Sequence, residues 1–180
     1  ELHLNGVDLS VSAVTSTEKI ESYQVTDQKI IITFAQPILA EKETTLTITY
    51  SAEPAEGLYF RTPEMGYKEG ETQVWTQGEA IEARHWYPCY DHPNEKFTSE
   101  IIAHVPEEMT VLSNGKLISE TKESSGLKAV RWSQEKPHVN YLISLIAGNF
   151  KHIDGQYKNI PLAFYTPPSD IAEAQNSFRD

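Results

Sequence analysis

Leu46-Thr47-Ile48-Thr49-Tyr50 alternates apolar and hydroxyl side chains. Neighbouring side chains on an extended strand point to opposite faces, so this stretch reads as a strand with one face buried. Working outward, Lys29-Ile30-Ile31-Ile32-Thr33-Phe34 is short and β-branched, and Pro37 follows to stop it. Thr110-Val111-Leu112-Ser113 and Lys116-Leu117-Ile118-Ser119 flank Asn114-Gly115, a pair that favours the positive φ of a tight hairpin turn. Ala129–Trp132 and Tyr141–Ile146 read as further strands. So does Ile160–Tyr165, where Pro161 points to a sheet edge. Turn residues recur between these runs, and the pattern predicts an all-β antiparallel sandwich.

Helix is expected only at the end. After Pro167-Pro168, Asp170 is placed to cap a helix, with Glu173 three residues on as in a capping box, and Ile171, Ala174 and Phe178 fall on one face. Such a short helix is marginal without packing. The organisation expected is therefore a β-sandwich domain over 1–166, with 167–180 forming a linker and the start of a further domain.

With 180 residues, 39% hydrophobic and 23% charged, the chain can bury a core of its own. Lys and Arg number 15 against 26 Asp and Glu, a net charge of −11 that argues against nucleic acid as a partner. The single cysteine excludes an internal disulfide framework and a cysteine-rich zinc site. The apolar stretch from Tyr141 to Ala147 is too short to span a bilayer. Nothing in the sequence fixes the compartment.

No complete catalytic set stands in the sequence. The six histidines include no His-Glu-x-x-His pair, and neither a Gly-x-Ser-x-Gly elbow nor a phosphate-binding glycine loop occurs. The segment Trp75–Glu100 is nevertheless dense in polar and aromatic residues, and three readings of it compete. His85, Cys89, Asp91 and His92 could ligate a metal, although their spacing matches no standard zinc pattern. Arg84 and Asp91 could form a buried ion pair with Trp86, Tyr87 and Tyr90 as packing, the reading favoured for those residues because buried charges are normally paired. Finally, Gln77 and Glu79 alternate as on a strand, which would turn both toward one ligand-facing surface.

Thr76-Gln77-Gly78-Glu79-Ala80, Ala83-Arg84 and Trp86-Tyr87-Pro88-Cys89-Tyr90-Asp91-His92-Pro93 resemble the N-terminal domain of the gluzincin aminopeptidases, the family of aminopeptidase N. Gly57-Leu58-Tyr59-Phe60, Val111-Leu112-Ser113-Asn114-Gly115 and Tyr141-Leu142 through Gly148-Asn149-Phe150 are similar to further family markers and fall in the same order. The resemblance covers roughly residues 40 to 165.

The resemblance implies a saddle-shaped β-sandwich that lends one loop to a separate thermolysin-like domain. Zinc and the catalytic groups belong to that second domain, so no catalytic residue and no metal ligand is expected within these residues. By the family's Gln-x-Glu element, Glu79 would bind the free α-amine of a peptide substrate and Gln77 would line its first pocket. The partners implied are a peptide N-terminus and the catalytic domain of the same polypeptide. Gly78 stands where many relatives carry a bulkier residue, which predicts a wider or looser first pocket. The resemblance also places the chain's beginning at the family's second or third strand, which would leave a sheet edge open. Two alternatives are a non-catalytic interaction module descended from the same family and a carbohydrate-binding sandwich using Trp75 and Trp86.

Overall fold

The computed structural model describes residues 1–178 and divides into two compact units. The first comprises Glu1–Tyr59, Thr76–Ser99 and Gln134–Ser144; the second comprises Phe60–Trp75, Glu100–Ser133 and the residues from Leu145 onward.

The first unit opens with strands β1 (Leu2–Asn5), β2 (Ser10–Ser16), β3 (Ile20–Val25), β4 (Lys29–Phe34) and β5 (Leu46–Ser51). One antiparallel sheet has the order β1-β4-β3, and β2 pairs with β5 in another. The alternation in β4 sends Ile30 and Ile32 inward, where both are fully buried, and Val14 opposite Ile48 completes the contact. Leu4, Val11, Ile20, Phe34 and Leu46 pack around these residues. Each fully buried isoleucine contributes about 1.5–3 kcal/mol relative to exposure, which makes this the anchor of the unit.

The remaining strands are β6 (Leu58–Arg61), β7 (Gln73–Thr76), β8 (Phe97–Pro106), β9 (Thr110–Ser113), β10 (Lys116–Lys122), β11 (Leu127–His138), β12 (Leu145–Gly148), β13 (Lys151–Tyr157) and β14 (Ile160–Thr166). A sheet of order β6-β7-β12-β9 and another of order β10-β11-β8 bury Val111, Val130 and Ala147 in the second unit. Val74, Ala103, Val105, Trp132 and Leu145 surround that cluster, and Trp132 Nε1 donates to the Val111 carbonyl at 3.2 Å. β13 and β14 form a separate antiparallel pair, followed by α1 (Ile171–Ser177). The chain is thus all-β with one short helix at its end.

Three local expectations are corrected. Asn114-Gly115 does turn the chain, with Gly115 at φ 85°, but it closes no hairpin, because β9 pairs with β12 and β10 with β11. Here the turn carries the chain from one sheet to the other, since pairing of both flanking strands with later partners displaces the local ladder. Second, the apolar run from Tyr141 does not start a strand. Asn140–Leu142 forms a 3₁₀ turn, and β12 begins only at Leu145. Third, Asp170 occupies the N-cap position of α1 without a side-chain cap hydrogen bond, and its Oδ1 accepts the Ser169 hydroxyl at 2.7 Å.

Candidate functional site

β7 ends at Thr76, so Gln77, Gly78 and Glu79 belong to a loop that runs to Glu82, not to the strand expected from their alternation. Backbone contacts hold this loop at both ends. Gln77 N donates to the Gly57 carbonyl at 3.0 Å, and Thr76 Oγ1 donates to the Ile143 carbonyl at 3.4 Å. Glu82 N closes the loop onto the Gly78 carbonyl at 3.0 Å. The peptide bond between Glu79 and Ala80 is cis.

Two glycines make the close approaches possible. Gly57 has φ +78°, and a Cβ there would lie 2.1 Å from the Glu82 carbonyl oxygen. A Cβ on Gly78 would lie 2.7 Å from the Tyr141 carbonyl oxygen and 2.9 Å from its Cα. The space beside Gly78 is therefore filled by the backbone at Tyr141, and Gly78 itself is buried. This corrects the expectation that Gly78 widens a substrate pocket: its missing side chain admits another backbone segment.

Gln77 and Glu79 are both exposed. Gln77 Oε1 accepts the Glu79 backbone N–H at 3.4 Å, so the glutamine side chain folds along its own loop. The Glu79 carboxylate forms no ion pair or hydrogen bond with any described residue. It is a free anion on a constrained backbone.

Below the loop, Ala83–His85 forms a 3₁₀ turn with Ala83 buried. Arg84 and Asp91 make the buried ion pair read from the sequence. Arg84 Nε donates to Asp91 Oδ2 at 2.8 Å, Arg84 N to the same oxygen at 3.2 Å, and Arg84 Nη2 to the Asp91 carbonyl at 3.1 Å. Asn140 Nδ2 donates to Asp91 Oδ1, and Asp91 N donates to Asn5 Oδ1 at 3.1 Å. Asp91 and Asn140 are each 1% exposed, so these hydrogen bonds stand in for water at the Asp91 carboxylate and the Asn140 amide nitrogen. It also fixes Asn140, the residue preceding the Tyr141 backbone on which Gly78 rests.

The proposed ligand set of His85, Cys89, Asp91 and His92 is not assembled. Asp91 is committed to Arg84, and Cys89 is buried with its thiol pushed up to about 12 by burial and then by the Asp91 charge. A thiol so disfavoured as thiolate is neither nucleophile nor ready ligand. Tyr87, which stacks edge-on to Trp86 at 4.5 Å, is raised by burial and then by Cys89, and Tyr50 is raised by the same two causes in that order. Among the described residues the metal-type donors that do converge are Glu56, Glu82 and His85.

Comparison with known proteins decides the family. The peptidase M1 N-terminal domain model matches residues 1–142. The chain belongs to this family. It is 34% identical to aminopeptidase N of Acetobacter pasteurianus over 131 residues, which cover 68% of this chain and 36% of that protein. Against the puromycin-sensitive aminopeptidase of Caenorhabditis elegans it is 34% identical over 104 residues, covering 57% of this chain and 11% of the relative. Aminopeptidase A of Legionella pneumophila, solved in complex with aspartic acid, superposes with a TM-score of 0.81 at 25% identity over 95% of this chain and 20% of its own. The fold is also shared with an M1 zinc metallopeptidase of Deinococcus radiodurans, a mutant bound to a Tyr-Ser-Ala substrate. That likeness has a TM-score of 0.71 at 21% identity and covers 91% of this chain and 38% of the other. The chain thus spans about a third or less of the relatives named here.

Within this M1 N-terminal domain, sequence reasoning anticipated the Arg84–Asp91 pair and the exposure of Gln77 and Glu79. It missed Asn140, whose only signal was an asparagine at the head of an apolar run, and Asn5, which lies 86 positions from its partner Asp91. It also missed the convergence of Glu56 with Glu82 and His85, since one of the three comes from a distant segment. The sugar-platform reading gains nothing: Trp75 and Trp86 are both half-buried, with Arg61 over the Trp75 ring and Tyr87 against Trp86.

Proposed function

We propose that this domain supplies the carboxylate that holds the α-ammonium of a peptide in a zinc aminopeptidase, with Glu79 as that group and Gln77 lining the pocket beside it. One observation carries the reading: Glu79 is an exposed anion without a partner among the described residues, on a loop pinned through Gly57, Gly78 and Ile143. A free peptide N-terminus has a pKa near 8 and is mostly cationic at neutral pH. A carboxylate receives it in a charge-assisted hydrogen bond, stronger where a second domain excludes water. A pinned loop holds that bond at a set position, so the first peptide bond is presented to the catalytic groups and internal peptide bonds are not. An internal segment offers no charge and leaves the carboxylate desolvated without a partner.

Zinc in the parent protein would act as the Lewis acid of hydrolysis. The donors near Glu79 do not match the family's zinc set, since no His-Glu-x-x-His occurs in these residues, and no step here runs through a metal. The domain's own part is to bind and orient the substrate, and hydrolysis by the 180-residue chain alone is not expected.

The test is Glu79→Gln in the polypeptide that includes the catalytic domain. The amide keeps the shape and removes the charge, and kcat/KM for a dipeptide should fall by roughly a hundredfold or more, equivalent to about 2.7 kcal/mol. Turnover within about threefold of the parent protein would reject the clamp. The absence of His-Glu-x-x-His from the flanking sequence would point instead to an interaction module.

A further inference from the structure

Where the loop ends stands a second cluster, to which the proposed clamp assigns no part. Glu56, Glu82 and His85 bring two carboxylate oxygens and one ring nitrogen within 4.8 Å of one another. His85 Nε2 lies 3.1 Å from Glu82 Oε2 and 3.4 Å from Glu56 Oε2. Despite its short distance to the ring, Glu82 Oε2 is a buried atom that accepts no hydrogen bond. An imidazole nitrogen has one in-plane direction for a proton or a lone pair, and here a proton on it does not serve the buried oxygen. The His85 ring stands at ion-pair distance from this oxygen but gives it no hydrogen bond, so the arrangement is incomplete as a hydrogen-bonded group.

The same spacing suits a cation. Zinc-to-ligand lengths of about 2.0–2.2 Å place tetrahedral ligand atoms roughly 3.3–3.6 Å apart. The Glu56 separation of 3.4 Å lies within that range and the Glu82 separation of 3.1 Å just below it. A cavity of about 250 Å³ opens beside the cluster, lined in part by Asp8, Glu53, Glu56 and His85. It leaves room for a water as fourth ligand, and neither lysine nor arginine lines it. The acidic rim would raise the local concentration of cations. One imidazole with two carboxylates is a donor set for zinc, cobalt or nickel, whereas magnesium and calcium prefer oxygen alone.

We propose that Glu56, Glu82 and His85 form a binding site for one divalent ion of the zinc class. Such an ion ties the residue before Gly57 to the turn after Gln77–Glu82, joining the two segments from which that loop is held. The site is independent of any role for Glu79 and can be tested without catalysis.

The experiment titrates the 180-residue chain with Co²⁺ and follows its visible ligand-field bands. One equivalent should saturate with the intensity of a tetrahedral site, and Zn²⁺ should displace it. Glu56→Gln and His85→Asn should each weaken Co²⁺ binding by at least about tenfold. His104→Asn should leave it unchanged, because that ring pairs with the Glu123 carboxylate and belongs to no converging donor group among the described residues. Glu56 is 59% exposed, so Glu56→Gln decides the matter even if His85→Asn fails to fold by circular dichroism. Absence of saturable bands, or unchanged binding in Glu56→Gln, overturns the proposal.

Discussion

At the scale of single residues, the site depends on two absent side chains and one buried charge pair. In Gly57→Ala, the new methyl group meets the Glu82 carbonyl while the backbone stays at positive φ. Urea unfolding should show a loss of more than about 2 kcal/mol. Removing the charge under Arg84 is a separate test. Asp91→Ala strands an arginine side chain that is 16% exposed and removes the carboxylate acceptor of Asn140. A loss of about 3–5 kcal/mol is expected, and a loss under 1 kcal/mol would show that water replaces Asp91 without cost. The residue types in this network were legible in advance, because Arg and Asp close in sequence inside an aromatic segment already suggest burial and pairing. Asn5 and Asn140 were not, because composition carries no record of which distant amide supplies a missing hydrogen bond. Gly78 shows the same limit: a glycine reads as empty space from sequence, and here the Tyr141 backbone fills it.

At the scale of elements, periodicity found strands well and partners poorly. β4, β5 and β9 lie where alternation and β-branching placed them, with bounds within a residue or so. Alternation states which side chains share a face, but not which strand lies alongside. The Asn114-Gly115 turn therefore read as a hairpin although each flank pairs elsewhere. The end of the chain offers a test of the same kind. A working N-cap contributes about 1 kcal/mol, yet Asp170 makes no cap hydrogen bond to α1. Asp170→Ala should consequently change stability by less than about 0.5 kcal/mol in urea unfolding, and a loss near 1 kcal/mol would mean that the side chain caps the helix in solution.

At the scale of the whole molecule, the all-β class followed from the recurrence of short strands and turns, whereas the division into two units did not. Each unit is assembled from three separated stretches, and no local pattern encodes which stretches join. Where distant stretches meet, ionisable groups become buried, and stability acquires a pH dependence absent from composition. Cys89 belongs to an isolated bridge with Asn5 and is only 7% exposed. Its thiol is held near 12 in the folded state against a reference of 9.0. Between those values the unfolded chain has released the proton while the folded chain retains it. Unfolding therefore releases a proton, and stability falls as pH rises, with a slope of at most about 1.4 kcal/mol per pH unit from this group. Tyr87 and Tyr50, raised from 10.0, add decline of the same sign at higher pH. Comparing the protein with Cys89→Ala cancels the tyrosines to first order and isolates the thiol. Urea unfolding at pH 7.5 and again about two units higher should show the parent protein losing more stability than the alanine variant. The variant will begin less stable, because it loses packing, so the change between the two pH values is what decides. Parallel declines would mean that the Cys89 thiol ionises in the native protein as readily as in the unfolded chain.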